Sequence, residues 1–387
     1  MKRRRFLASG ASAALGTGAA LAGCGPGPGN GRRNTSETAD ARGPGIVARP
    51  RLRWRLASSF PGALDVIYGG AETFAARLYE LTAGRFEVEV FEAGEIVPAL
   101  QVLDAVQSGS VELGHTAGYY YLGKSPALVF DTTLPFGMTA RQHNAWMMGG
   151  GGLDLTRRSL ADFGVVNFPA GNTGVQMGGW FREPVRSLGD LRGLRMRIPG
   201  LGASVMERLG AIPQTIPGGE IYGALERGAI DATEWVGPYD DSKLGFQEVV
   251  RTYHFPGWWE PSATLSLYVN RRAYDALPSD YQAAVGAAAQ HADATMLAQY
   301  DAKNPPALRA LLASGVRLVP FPDDVMRAAD REAQAFVDEA ASGADAHYRA
   351  LLESYRGFKA ASDRWLSTAE LATARHAARG AESTPPA

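Results

Sequence analysis

The chain has 387 residues, with 39 Lys and Arg against 40 Asp and Glu and a formal net charge of −1. That near balance argues against a nucleic-acid partner, and one cysteine excludes an internal disulfide, so the fold must rest on its apolar core. Hydrophobic residues make up 45%, as in an ordinary soluble protein, and past the N-terminus no apolar run is long enough to span a bilayer.

Residues 1–23 read as an export signal: a basic start, a weakly apolar stretch of small residues without acids, and a processing site. Arg3, Arg4, Phe6 and Leu7 fit the twin-arginine pattern, which exports proteins already folded; a plain basic region of the general secretory type is the alternative. Leu21-Ala22-Gly23-Cys24 looks like a bacterial lipobox, in which the Cys24 thiol is lipidated and anchors the mature chain to a membrane. Removing the signal leaves 35 cationic and 40 acidic side chains, a charge of −5. Residues 24–52, rich in Gly, Pro, Arg, Ser and Thr without periodic apolar positions, read as a flexible tether.

From Arg53 onward, strand and helix patterns alternate. Trp54–Ser58, Phe86–Phe91 and Val111–Thr116 read as strands, with helices over Asp65–Thr82 and Pro98–Ser108 between them. This βαβαβ order predicts a largely parallel sheet. A second set follows: Gly174–Phe181, Arg195–Ile198 and Ile230–Glu234 as strands, a short turn at Ser187–Leu191, and helices over Gly202–Leu209 and Glu220–Arg227. Two α/β units on one chain imply a cleft between them. The Gly149–Gly152 run reads as a loop. Asp280–Asn304 has helical spacing and is expected to stop at Pro305-Pro306, with amphipathic helices at Ala328–Glu339 and Ala346–Trp365 and a frayed last dozen residues.

Motifs for covalent chemistry are absent: no Walker loop, no Gly-x-Gly-x-x-Gly after a strand, no Gly-x-Ser-x-Gly, no His-Glu-x-x-His. The six histidines lack the spacing of a zinc or iron site; only His115, near a strand end beside the expected cleft, is kept as a candidate. No catalytic residue is assigned.

Other polar residues suit the capture of a small anion. In the run Arg195-Met196-Arg197-Ile198-Pro199-Gly200, Arg197 is the one expected to point inward, where its planar fork matches a carboxylate, with a surface arginine on a strand as the even alternative. Glu234, Gln176 and Glu260 supply only oxygen donors near the cleft segments, a set suited to a hard cation such as Na⁺ or Ca²⁺ or, on the alternative reading, to ion pairing at a domain seam. Tyr119, Tyr120 and Tyr121 follow the third strand, where α/β sheets bind ligands, although a tyrosine run serves packing as often.

Four stretches in order carry a resemblance: GNTGVQMGGWF from Gly171, LRGLRMRIPGLG from Leu191, ALERGAIDATEWVGPYDD from Ala224 and FPGWWEPSA from Phe255. With them, residues 53 to 370 resemble the periplasmic, DctP-type solute-binding subunits of TRAP transporters, in the branch that binds 2-oxo acids such as pyruvate, or lactate with a metal ion. The resemblance implies a two-domain α/β fold of the periplasmic-binding-protein kind, with a ligand cleft, a long hinge-spanning helix and C-terminal helices. Its implied domains are 53–171 with a returning segment near 262–300, 172–261 with 301–345, and a C-terminal helix at 346–376 for homodimerisation.

The resemblance also implies site roles. Arg197 takes the substrate carboxylate; Tyr119 and Tyr120 contact the same end, with Asn172 nearby. Gln176 faces ligand and cation, Glu234 ligates the cation by its side chain and Trp235 by its backbone carbonyl, and Glu260 completes the shell. With both glutamates ionised, Arg197 and a monocarboxylate leave the site at −1 with Na⁺ and neutral with Ca²⁺. The implied partners are an organic acid anion and the membrane subunits of a TRAP permease, with no enzymatic activity. Another organic acid or a polyol as ligand, or a metal-dependent hydrolase or lyase, are the alternative readings.

Overall fold

The computed structural model describes residues 49–344 and 346–382, with side chains to residue 377. The export signal, Cys24 and residues 24–48 of the expected tether lie outside the described residues. The tether expectation fails at its last positions: Arg49 pairs with Asp280 at 2.8 Å, and the Pro50 carbonyl accepts from the Tyr281 hydroxyl at 2.8 Å.

In chain order the strands are β1 (Leu52–Ser58), β2 (Phe86–Phe91), β3 (Leu113–Thr116), β4 (Val165–Asn172), β5 (Trp180–Phe181), β6 (Arg195–Arg197), β7 (Ile212–Gln214), β8 (Ala232–Thr233), β9 (Thr252–Phe255), β10 (Thr264–Asn270) and β11 (Arg317–Pro320). They form two sheets, ordered β2-β1-β3-β10-β4 and β11-β9-β5-β8-β6-β7. Both sheets are mixed. β1 runs parallel to β2 and β3, but β10 is antiparallel to β3 and β4; in the second sheet β5 is antiparallel to β8 and β9.

Each sheet has its own core. Leu56, Phe74, Leu113, Leu267 and Val285 fill the first lobe, and Phe181, Met196, Ile198, Val205 and Val325 the second. The chain passes between the sheets at 173–179, again at 256–263, and along the helix Ser279–Ala313, which packs on β4 and on the short helix Pro238–Lys243 of the second lobe. These three passages connect the two lobes, and they bring the ends of β4, β6 and β8 to one place.

Several expectations are corrected. The long helix does not stop at Pro305-Pro306 but runs to Ala313. Both prolines are exposed, where carbonyls deprived of a helical donor can be hydrated, and buried Leu311 holds the last turns. The strand expected over Gly174–Phe181 is only β5; Gly174 and Gly179, with φ of +66° and +81°, break the extended conformation. The glycine run joins two helices, Ala140–Gly149 and Gly152–Ala161, and claims Gly149 and Gly152 as their ends. The frayed end is helical through Glu382.

The helix Ala346–Thr368 docks on its own chain first. Tyr348, Leu351, Leu352 and Tyr355 are buried, Tyr355 accepts from the Met138 amide at 2.8 Å, and Trp146 donates to Ser354 at 3.1 Å. Trp365, farther along, is 64% exposed.

Candidate functional site

Arg197 ends β6, pairing in parallel with Thr233 at the end of β8, so the residue after Thr233 is delivered beside the guanidinium. That residue is Glu234. The two form an ion pair with both side chains almost wholly buried. Arg197 also donates from Nε to the Ile216 carbonyl at 3.0 Å and from Nη1 to the Glu234 carbonyl at 3.2 Å, and its guanidinium lies 5.1 Å from the Trp235 ring centroid. Its strand neighbour two residues back, Arg195, stays half in solvent on Asp231.

The first lobe contributes tyrosines. Residues Gly118–Tyr121 form one 3₁₀ turn, in which successive side chains diverge by about 120°, so the three tyrosines cannot share a face. Tyr119 and Tyr120 meet edge to face at 5.0 Å beside Arg197, whereas Tyr121 turns into its own lobe, accepting from the Leu103 amide at 3.1 Å and bonding Thr116 at 2.9 Å. Tyr119 donates to Glu260 across 3.5 Å. Gly200, at φ +60°, lies where an added Cβ would come within 2.9 Å of the Tyr119 Cβ, so the glycine lets the second lobe approach the first.

These groups surround a cavity of about 10 Å³, the space of roughly one water molecule. Tyr119, Tyr120, Gln176, Arg197 and Trp235 line it, with Glu234 and Glu260 reached through Arg197 and Tyr119. The remaining wall, missed in the sequence, is Thr173 and the apolar Phe60, Ile67, Val236, Ala263 and Leu265. Thr173 and Ala263 lie on crossing segments and Phe60 and Val236 just after strands, while Ile67 and Leu265 carry no such positional signal. Asn172 does not line the cavity: its amide nitrogen goes to Thr264 at 3.1 Å and its oxygen takes the Gly174 amide at 2.9 Å, so both ends are spent shaping the exit of β4. His115 is fully buried and neither ring nitrogen has a hydrogen-bond partner; it also stands outside the cavity lining, and burial lowers its pKa to about 4.

Charge is concentrated here. Burial raises Glu260 well above the usual carboxylate range, and nearby Glu234 adds to it. Burial raises Glu234 as well, against the opposing pull of Arg197. Burial opposes the Arg197 charge, but Glu234, the two tyrosines and Glu260 outweigh it. With both carboxylates ionised beside one guanidinium the site would carry a buried excess of negative charge; the raised carboxyls hold protons against it, and a bound cation would offset it instead.

The donor chemistry fits such a cation. Gln176 spends its amide nitrogen on Thr173 at 3.1 Å, leaving its buried Oε1 without a partner. Among the described residues, no group of three or more His, Cys, Asp or Glu is placed to hold a metal. The unpartnered Gln176 Oε1 is the kind of neutral oxygen donor a hard cation accepts.

Two mixed α/β lobes joined by two crossing segments and a long helix, with a buried arginine between them, have the architecture of a solute-binding receptor. The chain belongs to the family described as bacterial extracellular solute-binding protein, family 7, whose model matches residues 57–343. It is 52% identical over 322 residues to the monocarboxylate 2-oxoacid-binding periplasmic protein of Nostoc sp. (strain PCC 7120), covering 83% of this chain and 88% of that one. A TRAP transporter solute-binding protein from Bordetella bronchiseptica RB50, a mixed-occupancy dimer with copurified calcium and picolinate in one site, superposes with a TM-score of 0.85; it is 45% identical and covers 87% of this chain and 100% of its own. A second, from Pseudoalteromonas atlantica T6c with bound sodium and pyruvate, has a TM-score of 0.81 and 38% identity, covering 84% and 99%. Family and relatives are transport receptors rather than enzymes.

Proposed function

We propose that this chain is the periplasmic receptor of a TRAP transporter for a small 2-oxo or 2-hydroxy monocarboxylate, pyruvate-like or lactate, bound together with Na⁺ or Ca²⁺ and handed to the membrane permease subunits. The observation that carries this reading is Arg197: a fully buried guanidinium at the end of β6, facing a small cavity whose other walls are two tyrosines, one amide, the Thr173 hydroxyl and largely apolar side chains. A carboxylate supplies the planar partner that guanidinium lacks on its open side.

In this reading Tyr119 and Tyr120 donate to the same carboxylate. Gln176 through Oε1, Glu234 and Glu260 through their carboxylates, and Trp235 through its carbonyl hold the cation. A cation held by these residues would supply a Lewis-acid contact for an oxygen beside the ligand carboxylate, favouring 2-oxo and 2-hydroxy acids over plain fatty acids. The calcium and sodium bound together with picolinate and pyruvate in the two solved relatives support a cation beside the ligand. The apolar wall of Phe60, Ile67, Val236 and Leu265 suits a short alkyl group.

Calorimetry of the full chain with pyruvate, lactate and 2-oxobutyrate, with chelator and then with added Na⁺ or Ca²⁺, tests the reading. Tight binding that needs a cation is the expected result; no binding to any of the three refutes the ligand class.

Three further elements belong to the same proposal. Residues 53–171 with 262–300, and 172–261 with 301–345, act as the two closing lobes. Lipidation of Cys24 tethers the receptor: Cys24→Ala moves it from membrane to soluble fraction with unchanged affinity. Homodimers form through the C-terminal helices, where Trp365 and Leu371 are exposed; Trp365→Glu gives monomers in sedimentation.

A further inference from the structure

Asp241 sits seven residues after Glu234, in the helix Pro238–Lys243, and is 1% exposed. Its carboxylate is fully engaged. Oδ2 accepts from the Trp180 indole at 2.9 Å and from the Tyr253 hydroxyl at 2.6 Å. Oδ1 accepts from the amides of Val236 at 3.2 Å and Gly237 at 3.1 Å.

The two halves of this carboxylate do different things. Trp180 and Tyr253 stand on the neighbouring strands β5 and β9, stacked at 4.1 Å and 18°, so Oδ2 is fixed to the rigid middle of the second sheet. Oδ1 holds the two amides that directly follow the Glu234-Trp235 pair. The Val236 amide belongs to the same peptide plane as the Trp235 carbonyl, so fixing that N–H fixes the direction of that oxygen. Asp241 therefore ties the aim of the turn to the sheet. A purely structural helix start does not need a buried carboxylate with four donors, which is costly to desolvate. Its neighbour Asp240 faces elsewhere and takes the Tyr300 hydroxyl of the long helix.

We propose that Asp241 is the positioning residue of the cation site, orienting the Trp235 carbonyl and adding its own negative charge just behind it. This rests on the assignment of Glu234 and Trp235 as cation ligands. Outer residues that orient metal ligands typically contribute about 10- to 100-fold to metal affinity.

The test uses the full chain, chelated and then titrated with CaCl₂ and separately with NaCl, with pyruvate affinity measured by calorimetry at each concentration. For Asp241→Asn, the cation concentration giving half-maximal pyruvate binding rises about 10- to 100-fold, and saturating cation restores wild-type pyruvate affinity. Tyr253→Phe, which removes one donor and leaves the carboxylate, shifts the same midpoint in the same direction by less, and it decides the matter if Asp241→Asn does not fold. An unchanged midpoint in a folded variant overturns the proposal. So does an affinity lowered by the same factor at every cation concentration, the signature of a structural role alone. Wild-type binding that ignores cations overturns instead the assignment of the ligands, an outcome visible before any variant is made.

Discussion

The Tyr239 hydroxyl of the second lobe donates to both carboxylate oxygens of Asp65 in the first lobe at 3.0 Å. Lys243, from the same helix as Tyr239, and Lys303, from the long helix at 2.9 Å, complete the contact, and both ammonium groups also lie over the Tyr239 ring, at 5.0 and 4.7 Å. One carboxylate thus joins first lobe, second lobe and hinge helix outside the cavity.

This contact is expected to act as a latch between the lobes, and Asp65→Asn tests it. Partial burial pushes the Asp65 carboxyl up, but Lys243, Lys303 and Tyr239 outweigh it and hold it at about 2. With a depressed pKa, the latch is fully present above the ordinary value near 3.8 and is lost as pH falls from there towards 2. The Asp65 side chain is 49% exposed, so screening limits its worth to about 1 kcal/mol, or about fivefold in affinity. Asp65→Asn should bind pyruvate about fivefold more weakly at neutral pH, chiefly through faster release in stopped-flow, with the difference shrinking in high salt and below about pH 3. Equal release rates would remove the latch.

Arg197 offers the sharpest separation of charge from geometry. Arg197→Lys keeps the cation but not the fork, and should weaken pyruvate binding by about 2–3 kcal/mol, or about 30- to 150-fold. Arg197→Ala should abolish binding and lower stability by about 3–5 kcal/mol, because Glu234 is left buried without its partner. Calorimetry and urea melts measure the two effects; unchanged pyruvate affinity in the alanine variant would mean the arginine does not hold the carboxylate.

Arg197 was legible because a short strand that runs into Pro199-Gly200 leaves its last side chain at the sheet's carboxyl edge, and the acids and amide of the cleft segments lie on similar turns. What the sequence hides is which of two like neighbours faces inward. Tyr121 differs from Tyr119 and Tyr120 only by the 3₁₀ geometry of one turn, and Asp241 from Asp240 only by which strands lie behind it. Asn172 sits in the most recognisable motif yet is consumed by its own turn. At the level of elements, Pro305-Pro306 failed as a stop because helix propensity is local, whereas burial of Leu311 and the packing of the long helix are not. Strands β7, β9 and β11 are three or four residues long, too short to show a period of two.

Gly200 should govern closure through space rather than chemistry. Gly200→Ala places a methyl 2.9 Å from the Tyr119 Cβ and adds the strain of φ +60°. Gly193→Ala is the control, with φ of +74° and nothing within 4 Å of the new carbon, so it carries the strain without the interlobe clash. Both should lose about 1–2 kcal/mol in melts without ligand. Only Gly200→Ala should also lose about tenfold or more in pyruvate affinity, and equal affinities for the two variants would show that the lobes do not need this close approach.

Asp293, on the long helix and 8% exposed, should make stability fall as pH rises. Its Oδ2 takes the Asn144 amide at 2.8 Å, but its buried Oδ1 has no partner, and burial raises the carboxyl to about 6. The folded state therefore holds the proton more tightly than the unfolded chain, whose carboxyl titrates near 3.8. Stability from this group is complete below the lower value and is lost as pH climbs through the higher one. Asp293→Asn keeps an oxygen for Asn144 and removes the titration. The variant should match wild type near about pH 3.5 and exceed it by about 2–3 kcal/mol above about pH 7, by urea melts across that range. Parallel stability curves for the two proteins would show that Asp293 titrates in the fold as it does in water.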